Sequence, residues 1–188
     1  EDPATARLNQ PVFHFWWTSI SRQYLNAWRI QRRLLQKGQK RFLSLQNHMF
    51  WSTLLQAGYL ALVFFVFGWP GLAVALGSAL VGMLLLETVN YIEHYGLMRS
   101  RLPSGRYERV GARHSWNSNH VMGRIVLYEL TRHSDHHYKS AKKYQLLEYR
   151  DEAPSMPFGY PTSMVLSLFP PLWFRIMNPR IPGEAHSA

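Results

Sequence analysis

The chain carries nine histidines, and their spacing matters more than their number. Arg132-His133-Ser134-Asp135-His136-His137 holds three of them in an H-x-x-H-H pattern. On an α-helix, at about 100° per residue, positions i, i+3 and i+4 fall within one arc of about 100°. Three imidazoles then share one face. Neutral imidazole is a good ligand for iron, zinc, copper or nickel. Three on one rigid helix make most of one metal's shell, or parts of two shells. Asp135 sits at the edge of the arc, placed to accept a hydrogen bond from a ligand imidazole. The bland alternative is a solvated polar face.

His94 lies in Asn90-Tyr91-Ile92-Glu93-His94-Tyr95-Gly96, at the end of a long apolar run, with Glu93 beside it. Ionisable residues at the end of a membrane helix are functional candidates by default. His114 and His120 flank Ser115-Trp116-Asn117-Ser118-Asn119. His114, Asn117, Asn119 and His120 either hydrogen-bond to the metal ligands or form a solvated loop, and the spacing leaves both readings open. His14, His48 and His186 belong to no constellation. The chain has no cysteine, so thiolate metal sites, iron–sulfur clusters and disulfides are excluded. It contains no G-x-S-x-G, phosphate-binding glycine loop or dinucleotide fingerprint. No catalytic residue is expected beyond the metal ligands.

These histidines must be held by something. Phe50 to Gly68 is uncharged, Trp69-Pro70-Gly71 breaks the run, and Leu72 to Leu86 is again uncharged, with a helical pattern that continues to about Leu97. A membrane-spanning helix needs about 20 mostly apolar residues, and Pro-Gly signals a turn. Residues 50–97 therefore read as a transmembrane helical hairpin, against the alternative of two buried helices in a soluble core. Arg29, Arg32, Arg33, Lys37, Lys40 and Arg41 precede it, and Arg99, Arg101, Arg106, Arg109 and Arg113 follow it. The positive-inside rule puts both ends in the cytoplasm, which places His94 on the same side as the H-x-x-H-H segment.

Around the hairpin, residues 1–49 read as a loop and an amphipathic, interfacial helix (12–41) with a basic end. Residues 98–150 read as a cytoplasmic metal-binding region, a polar loop over 100–120 and then one helix over 121–147. Residues 151–188 read as a C-terminal interfacial segment interrupted by Pro170-Pro171 and ending in a tail. The fold class expected is all-α and integral to a membrane.

Composition agrees. The net charge is +10 over 188 residues, yet charged residues are only 17% and aromatics reach 14%, too aromatic for a disordered basic tail. Nucleic-acid binding would also use such charge, but much of it flanks the apolar spans, so the expected partner is membrane lipid and not nucleic acid. The chain opens Glu1-Asp2-Pro3, without Met, and is expected to be an excerpt or a processed product.

NYIEHYGL (90–97), HSWNSNH (114–120) and LTRHSDHHYKSAKKYQLL (130–147) together closely resemble the integral-membrane alkane 1-monooxygenases. EDPATAR at the start, and PSMPFGYP and LFPPLW near the end, resemble further segments of that family. The resemblance covers essentially the whole chain. It implies a non-haem di-iron enzyme of six membrane helices in the bacterial inner membrane, its active site facing the cytoplasm. It also implies two iron ions, O2 as co-substrate, an alkane as substrate, and rubredoxin as the electron donor. The product implied is the primary alcohol from the terminal methyl. Carried over by motif, His94, His133, His136 and His137 match iron ligands. The family's two other histidine boxes are missing here, so the resemblance implies an upstream N-terminal half that carries them, without which this chain should be inactive. A non-enzymatic membrane metal-binding subunit, and a related desaturase or xylene-type hydroxylase, are the alternatives; NYIEHYGL favours the alkane enzymes over the latter.

Overall fold

The computed structural model describes residues 5–138 and 141–182. Glu1, Asp2 and Pro3 of the opening motif, and His186, lie outside the described residues. Among the described residues the regular elements are all helical, with no strand and only two isolated β-bridges. It divides into two compact units, Thr18–Leu86 and the combination of Glu1–Trp17 with Glu87–Ala188.

Helix α1 (Val12–Lys37) ends where Gln39 takes a left-handed conformation (φ 52°) and the Gly38 and Lys40 N–H groups return to the Leu34 and Leu35 carbonyls. In the first unit, a stacked and edge-on series Trp28–Phe42–Phe50–Trp51 links the end of α1 to the start of helix α2 (His48–His94). Asn47 caps α2: its Oδ1 accepts the Phe50 N–H at 3.1 Å and its Nδ2 donates to the Phe42 carbonyl at 2.8 Å.

α2 has 47 residues, and its apolar stretch is long enough to cross a membrane. As one straight rod it would measure about 70 Å, more than twice a hydrocarbon core. It is not straight. Gly68 leaves helical geometry (φ 64°, ψ −160°), two residues before Pro70, one residue ahead of the break expected from the sequence. Beyond it the chain turns back: a Cβ built on Gly71 would sit 3.6 Å from Val63 Cγ1 and only 2.2 Å from Phe67 Cβ. Tyr59, Val63 and Phe67 line the same groove as Val74, Ala75 and Ser78. The outward faces of both halves are apolar and exposed, Phe65 at 82% and Trp69 at 73% among them. Such surface in water would be unusual for a soluble monomer.

The second unit has its own core. Tyr91, Ile92 and Tyr95 from the end of α2 pack with Phe15, Trp116, Trp173 and Met177. Tyr91 Oη donates to the Gln10 carbonyl (2.7 Å) and Tyr95 Oη to Asn178 Oδ1 (2.8 Å), so the aromatic layer carries no unmet hydroxyl. Gly96 permits the close approach: it adopts φ 71°, and a Cβ there would lie 2.4 Å from Ile181 Cδ1. Helices α5 (Tyr160–Ser167) and α6 (Pro170–Met177) complete the unit, the latter opened by the Pro-Pro pair at its first turn. α6 sends Trp173 and Met177 inward, so the C-terminal segment helps to build a core while Val165, Phe169 and Leu172 stay exposed.

The region expected to be one helix over 121–147 is not one. It forms α3 (Val121–Val126), α4 (His133–Tyr138) and a short 3-10 turn at Tyr144–Leu146. Tyr128 and Glu129 hold left-handed backbones (φ 49° and 60°) that end α3. Glu129 is fixed there by Arg124, through Nε–Oε2 at 2.9 Å and Nη2–Oε1 at 2.8 Å, and by Arg132 at 3.2 Å. Charge pairing within the segment thus outweighs its helical periodicity. α4 starts afresh at the first histidine of the H-x-x-H-H pattern.

Candidate metal centre

α4 presents His133 and His137 one turn apart, as i, i+4 spacing requires. Their Nε2 atoms lie 2.8 Å from each other. His94, at the last turn of α2, brings its Nε2 to 3.3 Å from that of His133. The three ligand atoms lie within 4.8 Å of one another. A divalent metal holds nitrogen at about 2.1 Å, so adjacent octahedral ligands are about 3.0 Å apart and tetrahedral ones about 3.4 Å. The His94–His133 separation of 3.3 Å falls in that range, and the His133–His137 separation of 2.8 Å lies just below it.

The donor set calls for a cation. Three imidazole nitrogens face one another. Burial, and then the neighbouring His94, His137 and His136, push the His133 pKa down to about 2, which keeps this ring neutral. Glu93 is buried beside them, with Oε2 3.4 Å from His133 Nε2, and its Oε1 has no hydrogen-bond partner among the described residues. A metal bound between the three nitrogens would take a lone pair from each ring, and the buried Glu93 carboxylate beside them adds negative charge that favours a cation.

His136 stands apart from these three. Its ring centroid is 5.8 Å from that of His133 and 6.1 Å from that of His137, and it does not share their converging ligand atoms.

The supporting residues come from HSWNSNH, which is a buried strap and not a solvated loop: residues 114–118 are all buried. The Trp116 N–H donates to the Glu93 carbonyl (2.8 Å) and its indole N–H to the Tyr95 carbonyl (2.9 Å), which pins the end of α2. Asn117 Oδ1 accepts both the hydroxyl (2.7 Å) and the N–H (3.3 Å) of Ser134, which pins α4. Asn117 also donates its amide to the Arg150 carbonyl at 3.2 Å. The Ser118 N–H reaches the Thr131 carbonyl at 2.9 Å. One strap therefore sets the register between His94 and the α4 histidines. Asn119 and His120, beyond it, are exposed and are not brought to the cluster.

Asp135 holds α4 in a different way from the one expected. Both of its oxygens are directed to cations and backbone: Lys142 Nζ (2.8 Å) and the Glu148 N–H (2.9 Å) on Oδ2, and Arg150 Nε and Nη2 (both 2.7 Å) on Oδ1. Burial opposes its ionisation, but these partners together outweigh it and hold the carboxyl at about 2. Arg150 also lies over the Tyr138 ring, 4.5 Å from its centroid. Arg150, Lys142 and Ser134 were missed in the sequence. Only the lone acid inside a histidine box, followed by a basic stretch, could have hinted at the Asp135 network.

The fold and site define a class: a helical protein with one long apolar helix and three converging histidines that could hold a metal ion. The chain belongs to the fatty acid desaturase family, whose pattern matches residues 1–167. It is 44% identical over 182 residues, 96% of this chain, to alkane 1-monooxygenase 1 of Pseudomonas aeruginosa, and 39% identical over 181 residues to alkane 1-monooxygenase 2 of Alcanivorax borkumensis. The hydroxylase component of the xylene/toluene monooxygenase of Pseudomonas putida is 28% identical over 178 residues. The chain spans about half the length of the curated relatives it matches, 47% in the first two cases.

Proposed function

We propose that this chain forms the C-terminal part of a membrane-bound di-iron alkane monooxygenase, which converts a terminal methyl group and O2 to a primary alcohol and water with two electrons delivered by rubredoxin. The observation that carries this reading is the convergence of His94, His133 and His137 in a chain that resembles alkane 1-monooxygenases along nearly its whole length. The weaker match to the xylene/toluene enzyme favours an alkane over an aromatic substrate.

In this reading His94, His133 and His137 hold one ion. His136, turned away from them, offers a ligand to the second, and the remaining ligands come from the N-terminal half. Bound there, iron supplies O2 activation, which an unactivated C–H bond requires and acid–base side chains cannot provide. The protein's own part is positioning. The strap at 114–118 fixes the distance between the two ligand-bearing helices, and the Asp135 network keeps α4 from rotating. The aromatic layer of Tyr91, Tyr95 and Trp173 lies along the last turns of α2 and keeps bulk water from that side. The two halves of α2, broken at Gly68, act as a transmembrane hairpin within a six-helix domain. Their apolar faces meet lipid, from which an alkane would partition directly. Both ends of the hairpin lie on the cytoplasmic side of the inner membrane, where rubredoxin is available.

The test is direct. The whole protein, in lipid and supplied with rubredoxin and its flavin reductase, is given n-octane under 18O2. One 18O atom in 1-octanol, and none above background for His133→Ala, is the expected outcome. Octane left unchanged by a protein that has loaded its iron would refute the enzymatic reading and leave a metal-binding subunit.

A further inference from the structure

We propose that Glu108 is a positioning residue for the ligand His94, acting through the ring and main chain of His114. The proposal rests on the reading of the histidine cluster as a metal site.

Hydrogen-bond donors fix every proton in this chain of contacts. The Gly111 N–H can only donate, and it reaches His114 Nδ1 at 2.9 Å. His114 Nδ1 is therefore an acceptor, and the ring proton sits on Nε2, 3.1 Å from Glu108 Oε1. Both nitrogens of His114 are thus occupied, which makes it a structural histidine and not a ligand. Glu108 is itself fastened: its Oε1 accepts the Ser100 N–H at 2.8 Å, and its Oε2 pairs with Arg113 Nη2 at 3.3 Å. The His114 side chain is almost wholly buried, so the clamped ring fixes the backbone that carries it.

That backbone is what touches the ligand. The His114 carbonyl oxygen lies 3.1 Å from His94 Nδ1. A carbonyl only accepts, so His94 carries its proton on Nδ1 and turns the Nε2 lone pair toward His133 and His137. A ligating histidine is typically oriented by a partner on its other nitrogen. Here that partner is a main-chain carbonyl, which no side-chain substitution can delete. Its position is controlled from two residues away on one side, by Trp116 on Glu93, and from six residues away on the other, by Glu108 on His114. Without Glu108 the His114 ring loses its proton acceptor, and the carbonyl loses one of the contacts that hold it, leaving Gly111 and Trp116.

The experiment compares wild type, Glu108→Ala and Glu108→Gln in the whole protein, purified in detergent. Two readouts are taken: anaerobic Fe(II) affinity by competition with a ferrous chelator, and the tautomers of 15N-labelled histidines in the metal-free protein. Gln keeps an oxygen that accepts from His114, so its affinity should stay within about twofold of wild type. Ala should weaken Fe(II) binding by about tenfold, the lower end of what loss of an outer partner costs, with His94 shifting to a mixture of tautomers. Unchanged affinity in a folded Glu108→Ala protein overturns the proposal. So does a wild-type spectrum with the His94 proton on Nε2, a readout that survives even where the Ala variant does not fold. Wild type that binds no Fe(II) would instead sink the metal-site reading on which the proposal rests.

Discussion

Asp135 Oδ1 accepts a hydrogen bond from Arg150 Nε at 2.7 Å and is ion-paired with Arg150 Nη2 at 2.7 Å, across fifteen residues of chain. The acid lies between His133 and His136 in sequence, yet its partners lie in the segment after α4. α4 is therefore fastened from behind. α4 has only six residues and could not hold its own geometry as an isolated helix.

Removing Arg150 leaves a fully buried carboxylate with Lys142 and one backbone donor. Arg150→Ala should lower the unfolding temperature, because the buried Asp135 carboxylate loses a charged hydrogen-bond partner. Arg150→Lys should recover only part of this, because an ammonium cannot both reach Asp135 Oδ1 with the geometry of the guanidinium and lie flat over the Tyr138 ring. Thermal unfolding of the three proteins checks the order; equal stabilities would mean that the pair carries little.

Asn117 distinguishes a hydrogen-bonded strap from a merely buried one. Its Oδ1 accepts from Ser134 and its Nδ2 donates to the Arg150 carbonyl. Asn117→Asp keeps the shape but sets an oxygen against that carbonyl. A loss of about 1–3 kcal/mol is expected from the unmet acceptor pair, together with weaker iron retention on gel filtration, since the strap sets the spacing of His94 from α4. A stable, iron-retaining Asp variant would contradict the role given to the strap.

The break between α3 and α4 should respond to pH. The bond to Arg124, with lesser help from Arg132 and against some burial, holds the Glu129 carboxyl below its ordinary 4.5. A carboxyl with a lowered folded pKa stabilises the folded state above its unfolded value, and that contribution is lost as pH falls through the folded value. Stability should therefore drop below about pH 4.5, and Glu129→Gln should flatten the slope in that window. Identical pH profiles for the two proteins would remove Glu129 from the account.

Much of this was legible in the residues. The H-x-x-H-H spacing brings His133 and His137 together because i, i+4 side chains meet on any helix, and the charge-free runs around Trp69-Pro70-Gly71 announce a broken apolar helix. What periodicity could not show was where the segment 121–147 stops being helical, since that depends on Arg124, Glu129 and Arg132 pairing across a left-handed turn. Nor could it divide the three histidines of the box, because whether His136 faces the cluster depends on how α4 docks against the 114–118 strap. The partners of Asp135 were hidden for the same reason: Lys142 and Arg150 are placed by long-range backbone contacts, and spacing along a single helix does not report them.

The central claim is that His94, His133 and His137 form one metal site, with His136 serving a second. Iron per protein, measured on the whole protein as wild type, His133→Ala and His136→Ala, tests it most directly. The account predicts two irons for wild type and a loss of iron in both variants, with the residual iron in each showing a different Mössbauer signature because a different site survives. Wild-type protein with no iron, or a His133→Ala protein that retains its full complement with an unchanged spectrum, would contradict it.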